Sequence, residues 1–506
     1  MCMDYDKILE IKFTTQLRHL GKGVKRMDGK LHKIHTIYDL IIYAYERIRG
    51  KSENKILSCY REKIPEYRKE INSLLREVMM CNLTIEEFVK EIIPYLEVDF
   101  EQVCIHILME FDHYYGERNQ YPLFNESTIS PIIDYKIENN ISKQLTFYPM
   151  GQDNFIMNSK VMSKARTHRL RGGIWDSIFS YRVNEMDPKH CVMIKKYNNN
   201  GIKQTLIQKG CLTFAVVPFS NVEPFDRDGK TGILKYKNYN IEEMKKIYEN
   251  CISLLEELDE MEIDIVIFPE IVMQEELVSK IKKWMTQKAI KGTNLKLLFM
   301  GSYYTEDINR CVLLSGTGKL LLSNDKQNGF EYHDNNNDPH REMLGNKSNN
   351  INLIDINGLG RVWYLICKDA LIFDEVVNIV TKYGCNVKMI SSYSESISDF
   401  QSVGASLARI YQVFSVVCNS CAVRKENDIG VITYPVFYDK GKNISSWDIN
   451  YTCTKKCEEC TYGKCAHIFW VNVNEGVMMS EEKSVDKQVM NHKLIGVEIK
   501  YKQLKK

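Results

Sequence analysis

A helical block followed by an α/β sandwich is the architecture that this 506-residue chain predicts. Three observations predict it. From about residue 211 onward, short apolar runs of strand length recur, many of them β-branched. Amphipathic stretches of helical length fall between them, the alternation expected of a layered α/β domain. Residues 1–120, by contrast, show helical periodicity and no strand signal.

In the first block, Ile34, Ile37, Ile41, Tyr45 and Ile48 share one helical face, and Ile71, Leu74, Leu75 and Val78 another. Thr84 with Glu87, and Asp99 with Gln102, each set an acid or amide three positions after an N-cap residue, which marks a helix start. A small bundle of four or five helices follows, with nothing in it that points to chemistry. Residues 121–209 read as an irregular linker region, with a turn-rich break at Tyr197–Gly201. Its basic stretch, Lys160, Lys164, Arg166, His168, Arg169 and Arg171, reads as a solvated surface in preference to a nucleic-acid patch. Runs at 211–219, 263–269, 295–301, 311–315, 320–323, 351–356, 362–366, 387–391, 414–418 and 468–473 read as strands. Helices are expected at 240–260, 273–290, 373–383 and 399–412, and Gly316–Gly318 is a hairpin signal.

Composition narrows the function. A 44% hydrophobic and 26% charged chain with net charge +2 is an ordinary globular protein without a global pull toward nucleic acid or acidic lipid. No apolar run approaches the roughly 18 residues that a membrane span needs. The start, MCMDYDKILEIKF, lacks a hydrophobic signal core, so the cytoplasm is the expected location. Sixteen scattered cysteines in a chain too large to need disulfide staples are expected to be mostly free thiols.

Three islands carry the chemistry. Each runs from an apolar strand into one reactive group: Ile263–Glu270, Leu320–Lys326 and Val362–Asp369, the last containing Cys367. A thiol needs a base to attack a carbonyl or nitrile carbon at neutral pH. A carboxylate can take that proton and return it to the leaving amine. An ammonium and the backbone N–H after the nucleophile can hold the developing negative charge. Glu270, Lys326 and Cys367 are the residue types for those three roles.

Their order and surroundings resemble the nitrilase superfamily, the carbon–nitrogen hydrolases with a Glu-Lys-Cys triad. Phe268-Pro269-Glu270 resembles the first motif of that family and Lys326 the second. Ile366-Cys367-Lys368-Asp369, after the lead-in Gly358–Val362, resembles the nucleophile motif. Cys211–Pro218 resembles the opening strand, and Ala408 with Phe414–Asn419 the helix and strand after the nucleophile. Glu342, with Gly345 after it, stands where many members place a second active-site glutamate; Glu331, Asp334 and Asp338 compete for that role. The resemblance covers about residues 210–500. It implies a four-layer αββα sandwich, pairing into homo-oligomers, and hydrolysis of an amide, carbamoyl or nitrile C–N bond through a covalent thioester or thioimidate, with no organic cofactor. Two departures stand out. Lys368 occupies a position where aromatic or small residues are common, and Arg409, Ile410 and Tyr411 replace the acids or amides usual after the helix alanine. The alternative is a catalytically altered scaffold or regulatory module whose helical part recruits a protein partner. Nitrilase-like domains also occur beside other modules, including bacterial reverse transcriptases in phage defence.

A second cluster, Cys453, Cys457, Cys460 and Cys465 with His467 just beyond, offers four thiolates within thirteen residues. Tetrahedral zinc takes such ligands, so a structural zinc with His467 as a substitute ligand is the expectation, against free cysteines in an insertion at 450–467. Cys418 and Cys421 form an isolated Cys-x-x-Cys at a strand end, where packing is the expected role.

Overall fold

The computed structural model describes residues 31–49, 67–80, 82–117, 132–134, 145–149, 181–185, 191–197, 200–219, 225–227, 231–236, 239–305, 307–333, 339–345, 347–411, 413–422, 428–434, 448–452, 465–472 and 502–503. They divide between two compact units: the first takes the described residues up to Glu117 together with 145–147, and the second takes the rest.

The first unit holds α1 (Ile37–Ile48), α2 (Tyr67–Met79), α3 (Ile85–Val98) and α4 (Phe100–Glu117), and α4 touches the other three. The expected box at Thr84 forms: Glu87 N–H donates to Thr84 Oγ1 and Thr84 N–H to Glu87 Oε2. A second, at Thr36 and Asp39, starts α1. Each such cap stabilises its helix by about 1 kcal/mol. Ile41, Leu75, Phe88, Ile92, Leu108 and Phe111 are buried.

The strands, in chain order with the remaining helices, are β1 (Ile132–Asp134), β2 (Leu145–Pro149, its first three residues in the first unit), β3 (Tyr181–Glu185), β4 (Cys191–Tyr197), α5 (Asn200–Lys209), β5 (Cys211–Val216), β6 (Phe225–Arg227), β7 (Ile233–Tyr236), α6 (Ile241–Glu260), β8 (Ile265–Ile267), α7 (Glu275–Lys291), β9 (Leu297–Thr305), β10 (Ile308–Ser315), β11 (Leu320–Asp325), β12 (Glu331–His333), β13 (Pro339–Glu342), β14 (Asn350–Ile356), β15 (Gly360–Ile366), α8 (Phe373–Tyr383), β16 (Val387–Ser392), α9 (Ser398–Tyr411), β17 (Phe414–Asn419), β18 (Asp428–Thr433), β19 (Asp448–Thr452), β20 (Cys465–Asn472) and β21 (Lys502–Gln503), and all but the start of β2 belong to the second unit. One large sheet runs β1-β4-β14-β15-β16-β17-β18-β19, the other β11-β10-β9-β8-β5-β20-β21, and β12-β13-β7-β6 form a small third.

The two large sheets face each other. Phe214 of β5 meets Phe414 of β17 at 6.0 Å, and Phe299 of β9 meets Tyr364 of β15 at 5.0 Å. Neighbours along the strands turn to the outer faces. Ala215, Val266, Leu298 and Met300 pack against Ile247, Leu254 and Leu258 of α6 and Leu277, Ile281 and Met285 of α7. Val376, Ile379 and Val380 of α8 with Phe400 and Leu407 of α9 cover the other sheet. The layer order is therefore αββα, as expected, and apolar residues on both strand faces are the sequence signature of sheets covered on both sides. Phe214 is fully buried between the sheets, so its truncation to Ala is expected to cost about 3–5 kcal/mol.

One expectation is corrected. Residues 191–209 are not linker: β4 pairs in parallel with the whole of β14, and β1 pairs with β4. Lys195 and Lys196 interrupt the apolar pattern of β4, and most of its residues are only half-buried, so the strand signal was weak. The helix after it buries Ile202 and Leu206 and leaves Ile207 exposed. Lys160–Arg171 lie outside the described residues.

Candidate active site

Three strand ends converge. Glu270 follows β8, Lys326 follows β11 and Cys367 follows β15, and Glu342 closes β13. Carboxyl ends of strands in open α/β sheets are where ligands gather. Lys326 Nζ lies 2.7 Å from Glu270 Oε1 and 2.7 Å from Glu342 Oε2. Exposure is 1% for Glu270, 1% for Lys326, 2% for Glu342 and 6% for Cys367, so the group is out of bulk water. Of the acids weighed for the second glutamate, Glu342 is the one bonded to Lys326; Glu331 is exposed, and Asp334 and Asp338 lie outside the described residues.

Local structure explains each placement. Glu270 sits on a turn pinned to both sheets. Its N–H donates to Ser392 O, and Ile271 N–H donates to Ser302 Oγ. Ser391 Oγ donates to Phe268 O and contacts Tyr364 Oη, which accepts from Gly301 N–H. Gly301 has φ +76°, and a Cβ there would stand 2.1 Å from Pro269 O, so only glycine lets the turn approach. Cys367 has φ +43°, a strained left-handed position between β15 and a 3₁₀ turn, which directs its side chain out of the strand end. The lead-in Gly358–Val362 is structural: Arg361 is buried and forks onto Asp355 across the β14–β15 hairpin, at 2.7 and 2.8 Å. Asp369 joins two of the turns, accepting from the N–H groups of Gln327 and Asn328 at 2.8 Å each.

Several partners had no motif to mark them. Asn309 Nδ2 donates to Glu270 Oε1 at 3.0 Å and to Glu342 Oε1 at 3.3 Å, and Lys326 N–H donates to Asn309 O. Phe330 N–H donates to Glu342 Oε2 at 3.0 Å, and its ring lies 5.2 Å from Lys326 Nζ. Tyr304 Oη donates to Glu342 Oε1. Ser392 Oγ donates to Cys367 Sγ at 3.6 Å. Asn309, second in β10 and followed by Arg310, carried no sequence signal of this role. Lys368 does not add a loose charge: its Nζ donates to Gly329 O at 3.0 Å.

The electrostatics follow from burial and neighbours. Burial pushes the Glu270 carboxyl up to about 7; Lys326 opposes the rise and the Glu342 charge adds to it. Burial would lower Lys326, but Glu270 and Glu342 outweigh it and hold the ammonium above the ordinary lysine range. Burial and then the Glu270 charge push the Cys367 thiol up to about 12, while Lys326, Ser392 and the Tyr393 N–H favour the thiolate. Glu270 Oε2 makes no hydrogen bond of ordinary geometry, although the thiol is near enough to bias its proton affinity. The resting arrangement is a neutral thiol beside a carboxyl poised near neutrality, with a fixed ammonium behind it.

The described residues also enclose a cavity of about 450 Å³ lined in part by Trp363, Leu365, Asp369, Asn378 and Lys382. None of Glu270, Lys326, Glu342 and Cys367 lines it. Cys453, Cys457 and Cys460 lie outside the described residues, and Cys465 only opens β20. Among the described residues no group of three or more His, Cys, Asp or Glu could hold a metal ion, and no helix is long and apolar enough to cross a membrane. Cys418 and Cys421 are buried and outside any disulfide, and Cys418 Sγ donates to Val217 O at 3.3 Å, as packing predicts.

No protein-family model matches the chain, and no curated protein does. Among solved structures it is similar to Nit3 of Saccharomyces cerevisiae, a member of branch 10 of the nitrilase superfamily, with 13% identity over 49% of this chain and 92% of that one, TM-score 0.31. An amidase from Nesterenkonia sp. matches at 11% identity over 49% of this chain and 94% of its own, TM-score 0.32. The NitFhit protein of C. elegans matches at 12% identity over 56% of this chain, which spans 65% of that protein, TM-score 0.35. Superpositions this loose carry no inference about chemistry; the distances above do.

Proposed function

We propose that the chain is a carbon–nitrogen hydrolase of nitrilase type acting on a small amide, carbamoyl compound or nitrile. The observation that supports this reading best is the dry Glu270–Lys326–Glu342 group with 2.7 Å contacts beside the Cys367 thiol. A thiol raised to about 12 is no nucleophile by itself. Glu270, raised to about 7, is matched to take its proton at neutral pH. With an amide, Sγ adds to the carbonyl carbon, and the oxygen gains charge that Lys326 and the Lys368 backbone N–H stabilise. Glu270 returns the proton to the amine, the C–N bond breaks and ammonia or an amine departs from the thioester. Water, deprotonated by the same carboxylate, then releases the acid and restores the thiol. With a nitrile, Sγ adds to the nitrile carbon and Glu270 passes the proton to nitrogen, giving a thioimidate; one water then displaces ammonia to leave the thioester, and a second releases the acid. Glu342 acts by holding Lys326.

A panel of aliphatic amides, carbamoyl compounds and nitriles, read by ammonia release, tests the reading. Cys367→Ala is expected to abolish turnover with an unchanged melting curve. Turnover that persists in that variant overturns the Cys367 mechanism, whereas a panel with no turnover and no acyl adduct on Cys367 by intact mass favours the scaffold reading. Pairing into homo-oligomers, a cytoplasmic location, a protein partner for the helical unit and a structural zinc at Cys453, Cys457, Cys460 and Cys465 complete the proposal. Elemental analysis of purified protein decides the zinc: no stoichiometric metal removes it.

A further inference from the structure

Phe225 belongs to no motif, yet its ring stands at the centre of the aromatic cluster beside the site. It is 8% exposed and meets three other rings near edge-on: Tyr304 at 6.2 Å, Phe330 at 5.8 Å and Tyr393 at 6.1 Å. Each of those residues also touches the reactive group. Tyr304 is bonded to Glu342, Phe330 lies against Lys326, and the Tyr393 N–H faces Cys367. Ile271, next to Glu270, and Leu234 complete the apolar cluster. The small sheet explains how Phe225 reaches this place: β6 pairs with β7, and β7 pairs with β13, the strand that delivers Glu342.

We propose that Phe225 determines which acyl groups reach Cys367, closing a three-ring collar that admits short, uncharged or cationic chains and rejects bulky or anionic ones. The proposal rests on the assignment of Cys367 as nucleophile. The size limit follows from the packing: edge-to-face rings at these separations leave no space for a further ring unless Phe225 moves. The charge limit follows from the count of partners. Lys326, the cation bonded to the group, is held by two carboxylates at 2.7 Å. An incoming carboxylate would therefore meet like charge in a dry site, where repulsion is strong.

Alkylation of Cys367 tests this without a known substrate. Wild type, Phe225→Ala and Phe225→Leu are treated with iodoacetamide, iodoacetate or N-phenyl iodoacetamide. Labelling of Cys367 is read by mass spectrometry against exposed Cys191 of the same chain. In wild type, Cys367 is expected to disfavour the phenyl and the carboxylate reagents relative to Cys191. Phe225→Ala raises the phenyl-to-plain ratio at Cys367 by about tenfold or more, the scale of a reshaped apolar pocket. It leaves the iodoacetate-to-iodoacetamide ratio low, and Phe225→Leu falls between. Unchanged size discrimination in a folded Phe225→Ala overturns the proposal. If that variant does not fold, wild type that labels equally with both sizes, or Phe225→Leu identical to wild type, overturns it as well. Because the readout is alkylation, a failed turnover assay sinks the hydrolase reading and leaves these ratios legible.

Discussion

Lys326 and Lys388 are both lysines buried to 1% exposure in the same sandwich, and they teach different lessons. Lys326 follows the last residue of its strand and meets two carboxylates, so it stays charged. Lys388 is the second residue of β16, in register with Trp363 and Ser415. Among the described residues no carboxylate is one of the groups that act on it: burial pulls its pKa down to about 8, opposed by the Cys385 thiol. Burial alone therefore does not make a site. Strand-end delivery onto matched carboxylates does, and it turns a desolvated cation from a liability into fixed electrostatics.

Removing each amine gives the largest effects. Lys326→Met leaves two carboxylates buried without a cation. Stability is expected to fall by about 3–5 kcal/mol, and turnover by about a thousandfold, the scale of a lost oxyanion partner. Lys388→Met removes an unpaired ammonium, so stability at pH 7 is expected to rise by about 1–3 kcal/mol with turnover unchanged. The sign follows from linkage: below about 8 the folded state carries the unfavourable charge, and as pH rises from there toward the ordinary lysine value the penalty fades. The gap between Lys388→Met and wild type shrinks across that window. Urea melts check both; Lys388→Met less stable than wild type at pH 7 breaks the comparison.

The contrast also shows what could be read from residues alone. The ten apolar runs from 211 on were legible as strands because both faces of each are apolar, as in Phe214-Ala215-Val216, and in the first block α3 was legible from its capping box; β6, β7, β12, β13, β18 and β19 gave no such run. Glu270, Lys326 and Cys367 were legible because an apolar run stops abruptly at each. Lys388 breaks the same pattern inside a run and gave no hint of whether a partner waits. Asn309, Ser392 and Phe225 were illegible for a related reason. Their roles depend on register between strands far apart in sequence, and β6 is three residues long with no periodicity to find. Strand β4 hid behind its two lysines.

Proton affinity gives the next effect. The acid limb of kcat/KM is expected near pH 7, where Glu270 loses its proton and becomes the base. Because its folded pKa lies above the ordinary 4.5, Glu270 favours folding most below that value, and the contribution is lost as pH rises toward 7. Glu342→Gln removes a neighbouring negative charge that raises Glu270, so the limb moves to lower pH, and it also leaves Lys326 with one carboxylate in place of two. A limb that stays in place, or moves up, removes Glu342 from the electrostatics of the base.

The smallest effect separates two neighbouring hydroxyls on opposite faces of β16. Ser392 Oγ points to the Cys367 sulfur, whereas Ser391 Oγ donates to Phe268 O at 2.6 Å between the sheets. Ser392→Ala removes a donor that favours the thiolate, while its carbonyl still accepts from Glu270 N–H. A net hydrogen bond of about 0.5–1.5 kcal/mol translates into a loss of roughly two- to tenfold in kcat/KM, with little change in stability. Ser391→Ala leaves Phe268 O without its donor in the core, so it is expected to lower stability by about 1–3 kcal/mol and to reach the rate only through the Glu270 turn. Side-by-side melts and rates decide the matter. Equal rate losses in the two variants would mean that the Ser392 hydroxyl does no more for the thiolate than hold the strand end in place.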